Sequence, residues 1–181
     1  MSGEQIPRGS TAVIDSSVLF AMGGPSNVKY QAFERFVTVR DIEVRIPDHV
    51  AEELGESPDA YAYQRDRLQA ARNAGWLERG VVDFSNPDVS DVVDRTRTRM
   101  DRLSDDDVTE DEIEKADTVL AGLAYQYATG ESDHVAVLVS DTLAEQAIGD
   151  VLDASGAGDG VTVVEGRELV NELENQSVDK R

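Results

Sequence analysis

Two short apolar runs that each stop at a carboxylate constrain this chain more than any other feature. Ala12-Val13-Ile14 runs into Asp15, and Val135-Ala136-Val137-Leu138-Val139 runs into Ser140-Asp141. A β-branched run closed by an acid reads as a buried strand that delivers a charge at its carboxyl end. In open α/β sheets ligands bind in the crevice beyond those ends, where the strand order reverses. If the two strands are neighbours at such a reversal, both carboxylates line one crevice.

The rest of the chain alternates strand and helix signals, which is the α/β pattern. A short helix over Val18–Met22 ends at Gly23-Gly24-Pro25, and Asn27–Val39 carries Val28, Ala32, Phe36 and Val37 on one helical face. Glu43–Ile46 reads as a second strand, Pro47-Asp48 as a helix start, and Ser57-Pro58 as the opening of an amphipathic helix that Gly75 ends. Gly80–Phe84 reads as a third strand, and Pro87 to about Leu103 as an exposed helix of alternating arginine and aspartate. Thr109-Glu110-Asp111-Glu112 is a capping box for the most apolar helix, which runs to about Ala128. After the Val135–Val139 strand come a helix to about Leu152, a GAGDG turn, a strand over Val161–Val164 and a helix from Gly166 to about Glu174. The expectation is a three-layer sandwich: a central parallel sheet of four to five strands flanked by helices. It would form one domain over residues 11–174, with flexible ends at 1–10 and 175–181.

Composition bounds the chemistry. With no cysteine among 181 residues there is no disulfide framework and no thiolate metal site. The start, MSGEQIPRGST, lacks the apolar stretch of a signal peptide, and no apolar run approaches a membrane span, so a soluble cytoplasmic protein with no membrane partner is expected. Acids outnumber bases 37 to 17, a net charge of −20 spread over the whole length, and Lys29, Lys115 and Lys180 are the only lysines. Such an acid-rich, lysine-poor balance resembles that of proteins from salt-loving organisms. At ~1 M salt the Debye length is only ~3 Å, so self-repulsion is largely screened. Counterion release is then weak for any protein, and acidity is poor evidence against a nucleic-acid substrate.

In a chain this acidic each candidate site residue needs more than its charge, and phase within its element is the test. Asp117 lies in the stripe of Ile113, Ala116, Leu120, Leu123, Ala124 and Tyr127. An unpaired carboxylate facing a core is strongly disfavoured, so Asp117 wants an arginine, a water-filled crevice or a metal. Glu53 lies three residues after Val50 on the face that Val50 and Leu54 mark as inward. Asp15 and Asp141 each read first as helix N-caps, although a cap can also be a ligand. His49 and His134 belong to no recognisable catalytic pair, and Trp76 reads as packing. Arg95, Arg97, Arg99 and Arg102 share one helix, where pairing with nearby aspartates competes with contact to an RNA backbone.

Asp15 in VIDSSVLF, Glu53 in VAEEL, Asp117 in KADTVLAGLA and Asp141 in VLVSD resemble, in order and context, the acidic quartet of the PIN-domain family. The resemblance spans roughly Val13 to Ile148. It implies a metal-dependent ribonuclease in which those four side chains are catalytic and hold Mg²⁺ or Mn²⁺, whose charge offsets the repulsion among them. Asp15 and Asp117 would hold the main ion, and Ser16 and Ser140 are candidate supporting hydroxyls. The implied substrate is RNA, cut in a toxin-like or processing role, with an antitoxin or a second copy of the chain as possible protein partner. Three features depart from the family pattern: Ser17 stands where asparagine is common, the Glu53–Asp117 interval is long, and Leu143 replaces an extra acid. A catalytically silent scaffold is the rival reading, and an aspartate phosphotransfer site a weaker one. Phosphatases with an aspartate closing the first strand want a second acid two residues on, where this chain has Ser17.

Overall fold

The structure, a computed structural model, describes residues 2–48, 62–103, 115–130 and 132–179. Its centre is an all-parallel sheet of β1 (Thr11–Ile14), β2 (Glu43–Pro47), β3 (Leu77–Gly80), β4 (Val135–Val139) and β5 (Val161–Glu165), in the order β3-β2-β1-β4-β5. The chain works outward from β1 through β2 to β3, then crosses back to lay β4 on the other side of β1. The order therefore reverses between β1 and β4, where Ile14 pairs with Leu138.

Strand residues alternate between two cores because successive side chains point to opposite faces. Ala12, Ile14, Val44, Ile46, Ala136 and Leu138 face a core covered by α1 (Ser16–Ala21), α2 (Val28–Val39), α3 (Ala62–Asn73) and α7 (Gly166–Asp179). Val13, Val135, Val137 and Val139 face α4 (Pro87–Leu103), α5 (Lys115–Ala128) and α6 (Thr142–Ala154). The expected three-layer sandwich is what forms. Ile6 is buried in the first core, ahead of β1. Trp76 sits edge-on to Tyr30 and Phe33, each 5.7 Å away, and its indole N–H donates to Glu34 Oε2 at 2.8 Å, so it is core packing. Among the described residues no helix is long and apolar enough to cross a membrane.

Two expectations need correction. The third strand covers Leu77–Gly80 instead of Gly80–Phe84. Leu77 is fully buried, whereas Val81 and Phe84 are 64% and 57% exposed. Beyond Gly80 the Gln126 amide takes over the backbone, donating to Val81 O at 2.9 Å and accepting from Asp83 N at 2.8 Å. Those groups need no ladder partner, so the sheet stops. The helix expected to be exposed, α4, instead buries Val89, Val92, Val93, Thr96 and Met100 against α5 and α6. Its charged residues hid this stripe. The predicted helix start at Pro47-Asp48 continues outside the described residues, as do the Ser57-Pro58 opening and the Thr109–Glu112 capping box. Gly75, at φ +89°, ends α3 as expected.

The close fit of α4 on α5 rests on Gly122, where an added Cβ would stand 2.6 Å from Val93 Cγ2. Valine is stiff at χ1 and cannot swing away. Gly122→Ala would gain ~1 kcal/mol of helix propensity on an open helix. Here it is expected to lower stability by about 1–3 kcal/mol through overpacking. Denaturant unfolding in multimolar salt, followed by Trp76 fluorescence, checks this, and Val93→Ala in the same chain should restore most of the loss.

Candidate active site

β1 hands its last ladder bond to Asp15, whose N–H donates to Leu138 O at 2.9 Å, and the chain then turns into α1. Asp15 is the N-cap of that helix, extended at φ −72° and ψ 136°. Its Oδ1 accepts the Ser17 N–H at 3.3 Å, satisfying one of the orphan donors of the first turn. Its Oδ2 accepts the Ser17 hydroxyl at 2.8 Å and the Ser140 hydroxyl at 3.3 Å, and the two hydroxyl oxygens lie 2.6 Å apart. Two hydroxyl protons serve three short contacts, and the shortest route is Ser140 to Ser17 to Asp15. The carboxylate is thus gripped on both oxygens while only 4% exposed. Every printed donor to it is neutral, and no arginine, lysine or histidine pairs with it among the described residues.

Asp141 follows Ser140 at the end of β4 and caps α6, with Oδ1 accepting the Leu143 N–H at 3.0 Å. It is exposed where Asp15 is buried. The reversal of strand order therefore brings Asp15 and Asp141 to one edge of the sheet, on neighbouring strands. The helix start read at Asp141 is present. Ser140 meets Asp15 directly, but Ser16 makes no hydrogen bond to it; Ser17 does so instead. Its place two residues after a capping aspartate was the available signal, since side-chain oxygens bond backbone and hydroxyl at that spacing.

Glu53 lies outside the described residues. Position 117 lies within α5, one turn before the buried Leu120 and Ala121, and its side chain is outside the description. The direction of α5 is fixed at its other end. The Tyr127 phenol, in the last turn, has its pKa raised by burial; Arg45 lowers it and Glu43 raises it. Both partners lie in the amino-terminal half of β2, so the first turn of α5 returns to the sheet edge that carries Asp15 and Asp141. Among the described residues no three acidic or histidine side chains gather where they could hold a metal.

Other candidates fall away from this edge. His134 precedes β4 at the opposite edge, where its Nε2 lies 2.7 Å from Thr162 Oγ1 and burial lowers its pKa. His49 is outside the described residues. Arg95 pairs with Asp91 at 2.8 Å, and Arg99 grips Asp150 through two nitrogens at 2.9 and 3.0 Å. An acidic rim that the sequence reading passed over flanks Asp141: Glu145 on α6, with Glu165 and Glu168 where β5 meets α7. Glu165 Oε2 accepts the Glu168 N–H at 2.6 Å and so caps α7.

A family model described as the Halobacterial PIN domain matches residues 8–178. No curated protein and no solved structure matches the chain.

Burial, then Glu168 and Glu165, raises the pKa of Glu145. The folded state therefore holds this proton more tightly than the unfolded chain. Its contribution to stability is present below the unfolded carboxyl pKa and is lost as pH rises through the folded value. Glu145→Gln is expected to raise the thermal midpoint at pH 7 and to leave it unchanged at pH values below the ordinary carboxyl range. Paired melts at the two pH values test this, and the gain should shrink as salt is added.

Proposed function

The chain belongs to the PIN-domain family, and on that premise we propose that it is a Mg²⁺- or Mn²⁺-dependent endoribonuclease acting on RNA. Members of this family are in general nucleases, and the sheet order puts the crevice of this chain where α/β folds bind ligands. The observation that carries the reading is Asp15. A carboxylate so deeply buried, held on both oxygens by neutral donors, suits a cation in front of it, because a buried charge needs pairing or metal coordination. The donor set is all oxygen, which suits hard divalent ions.

In this reading Asp15 and Asp117 hold the ion, with Glu53 and Asp141 completing its surroundings directly or through water. A divalent ion bound there supplies charge neutralisation and electrophilic activation for phosphodiester hydrolysis. Ser17 and Ser140 keep the Asp15 carboxylate from rotating, which is how outer groups orient a ligand. Asp141, anchored by the α6 N-terminus, keeps its remaining lone pairs towards the open edge where a phosphate would lie.

Labelled single-stranded RNA in multimolar KCl, with Mn²⁺ or with chelator, tests the proposal. Wild type is expected to cut only with metal, and Asp15→Asn to lose at least about a hundredfold in rate, more than loss of an outer-shell group costs. A folded chain that neither cuts RNA nor binds metal would replace this reading with a non-catalytic PIN scaffold. Ser17→Ala is expected to weaken Mn²⁺ binding by about 10- to 100-fold, read by titration calorimetry independently of turnover.

A further inference from the structure

At the same sheet edge, a second cleft opens on the far side of α1. It has a volume of about 100 Å³, and its lining includes Val18, Met22 and Val170 together with Lys29, Arg167 and Asn171. Clefts that enclose a whole small molecule start at roughly 300 Å³. This one takes a chemical group and no more. We infer that it is a subsite for one phosphate of the RNA strand, adjacent to the phosphate being cut, with Lys29 and Arg167 as its cations.

The cleft and Asp15 share a helix. The Val18 N–H donates to Asp15 O at 3.0 Å. Gly166 packs so tightly on Val18 that an added Cβ would stand 2.5 Å from its Cγ1, which draws the start of α7, and Arg167 with it, up to α1. Ser17 and Val18 are consecutive, so α1 presents the carboxylate clamp to one side and the cleft wall to the other. Asp15 and Val18 are about one helical turn apart, ~5 Å along the axis. A strand lying across α1 would place the two phosphates about one or two nucleotides apart, taking ~3.4 Å per phosphate as the lower bound.

Charge singles out these two residues. The chain carries 37 acids against 17 bases, and Arg8, Arg45, Arg79, Arg95 and Arg99 all form ion pairs. Lys29 and Arg167 form none among the described residues, although Glu168 is next in sequence to Arg167. Their heads are thus available to an anion. In concentrated salt a cation acts only near contact, since the Debye length at ~1 M is ~3 Å. A diffuse basic surface would do little there. Two cations and an amide around a group-sized cleft work at contact range, with arginine gripping two phosphate oxygens and lysine acting as a point charge.

The inference rests on the nuclease reading, and one set of measurements separates the two. Binding of fluorescein-labelled single-stranded RNA is followed by anisotropy over a KCl series with chelator, and cleavage kinetics are measured with Mn²⁺. Lys29→Ala, Arg167→Ala, the double variant and the exposed control Arg35→Ala are compared, with Trp76 fluorescence reporting folding. Each single variant should raise KM about 3- to 10-fold with kcat unchanged, and Lys29→Arg should retain wild-type KM. The double variant should flatten the log affinity–log salt slope by roughly 1.4, at ~0.7 per phosphate contact. Cutting by wild type with KM and slope unchanged in the double variant would overturn the subsite and leave the nuclease standing. An equal loss in Arg35→Ala would overturn it too. A folded wild type that neither binds nor cuts RNA would overturn both readings.

Discussion

The grip on Asp15 is the constraint around which the rest of the molecule is arranged. One side chain ends β1, caps α1 and ties β1 to β4 through Ser17 and Ser140. Neutral donors fix the direction of its oxygens without cancelling their charge. Such a carboxylate is oriented in advance and still free to attract a cation, which is the condition a preorganised electrostatic site has to meet. A guanidinium in the same place would satisfy Asp15 and close the site.

The sheet supplies the rigidity that this grip requires. β1 and β4 are central, each paired on both sides, and their alternating residues are buried in two separate cores. Neither strand can slip by one residue without turning its apolar set into the wrong core. The position of Asp15 relative to Ser140 is therefore set by the register of Ile14 on Leu138. Function is placed by packing several residues upstream of the acids themselves.

Charge in this protein acts locally. A net charge of −20 would dominate behaviour in dilute buffer, but concentrated salt reduces it to interactions at contact range. What matters then is which charges touch. Glu145 is crowded by Glu168 and Glu165 as well as by burial, whereas Lys29 and Arg167 face a cleft on the other side of α1. The α1 helix, only six residues long, divides the two environments.

Strand and helix identities were legible in the residues because hydrophobic period and caps are local properties. VAVLV, the Asn27 cap and the Gly75 stop all read correctly. The third strand did not, since a Val-Val pair looks like a strand unless one knows that Gln126, over forty residues later, satisfies its backbone. The buried stripe of α4 was masked in the same way by the arginines and aspartates around it. For the site, the sequence alone marked Asp15, Asp141 and Ser140 as candidates from their places at strand ends. Tertiary structure alone decided that β1 and β4 are neighbours, that Ser17 rather than Ser16 holds Asp15, and that Lys29 and Arg167 meet across α1. Contacts between residues a hundred or more positions apart depend on strand order and helix packing, and no local pattern encodes those.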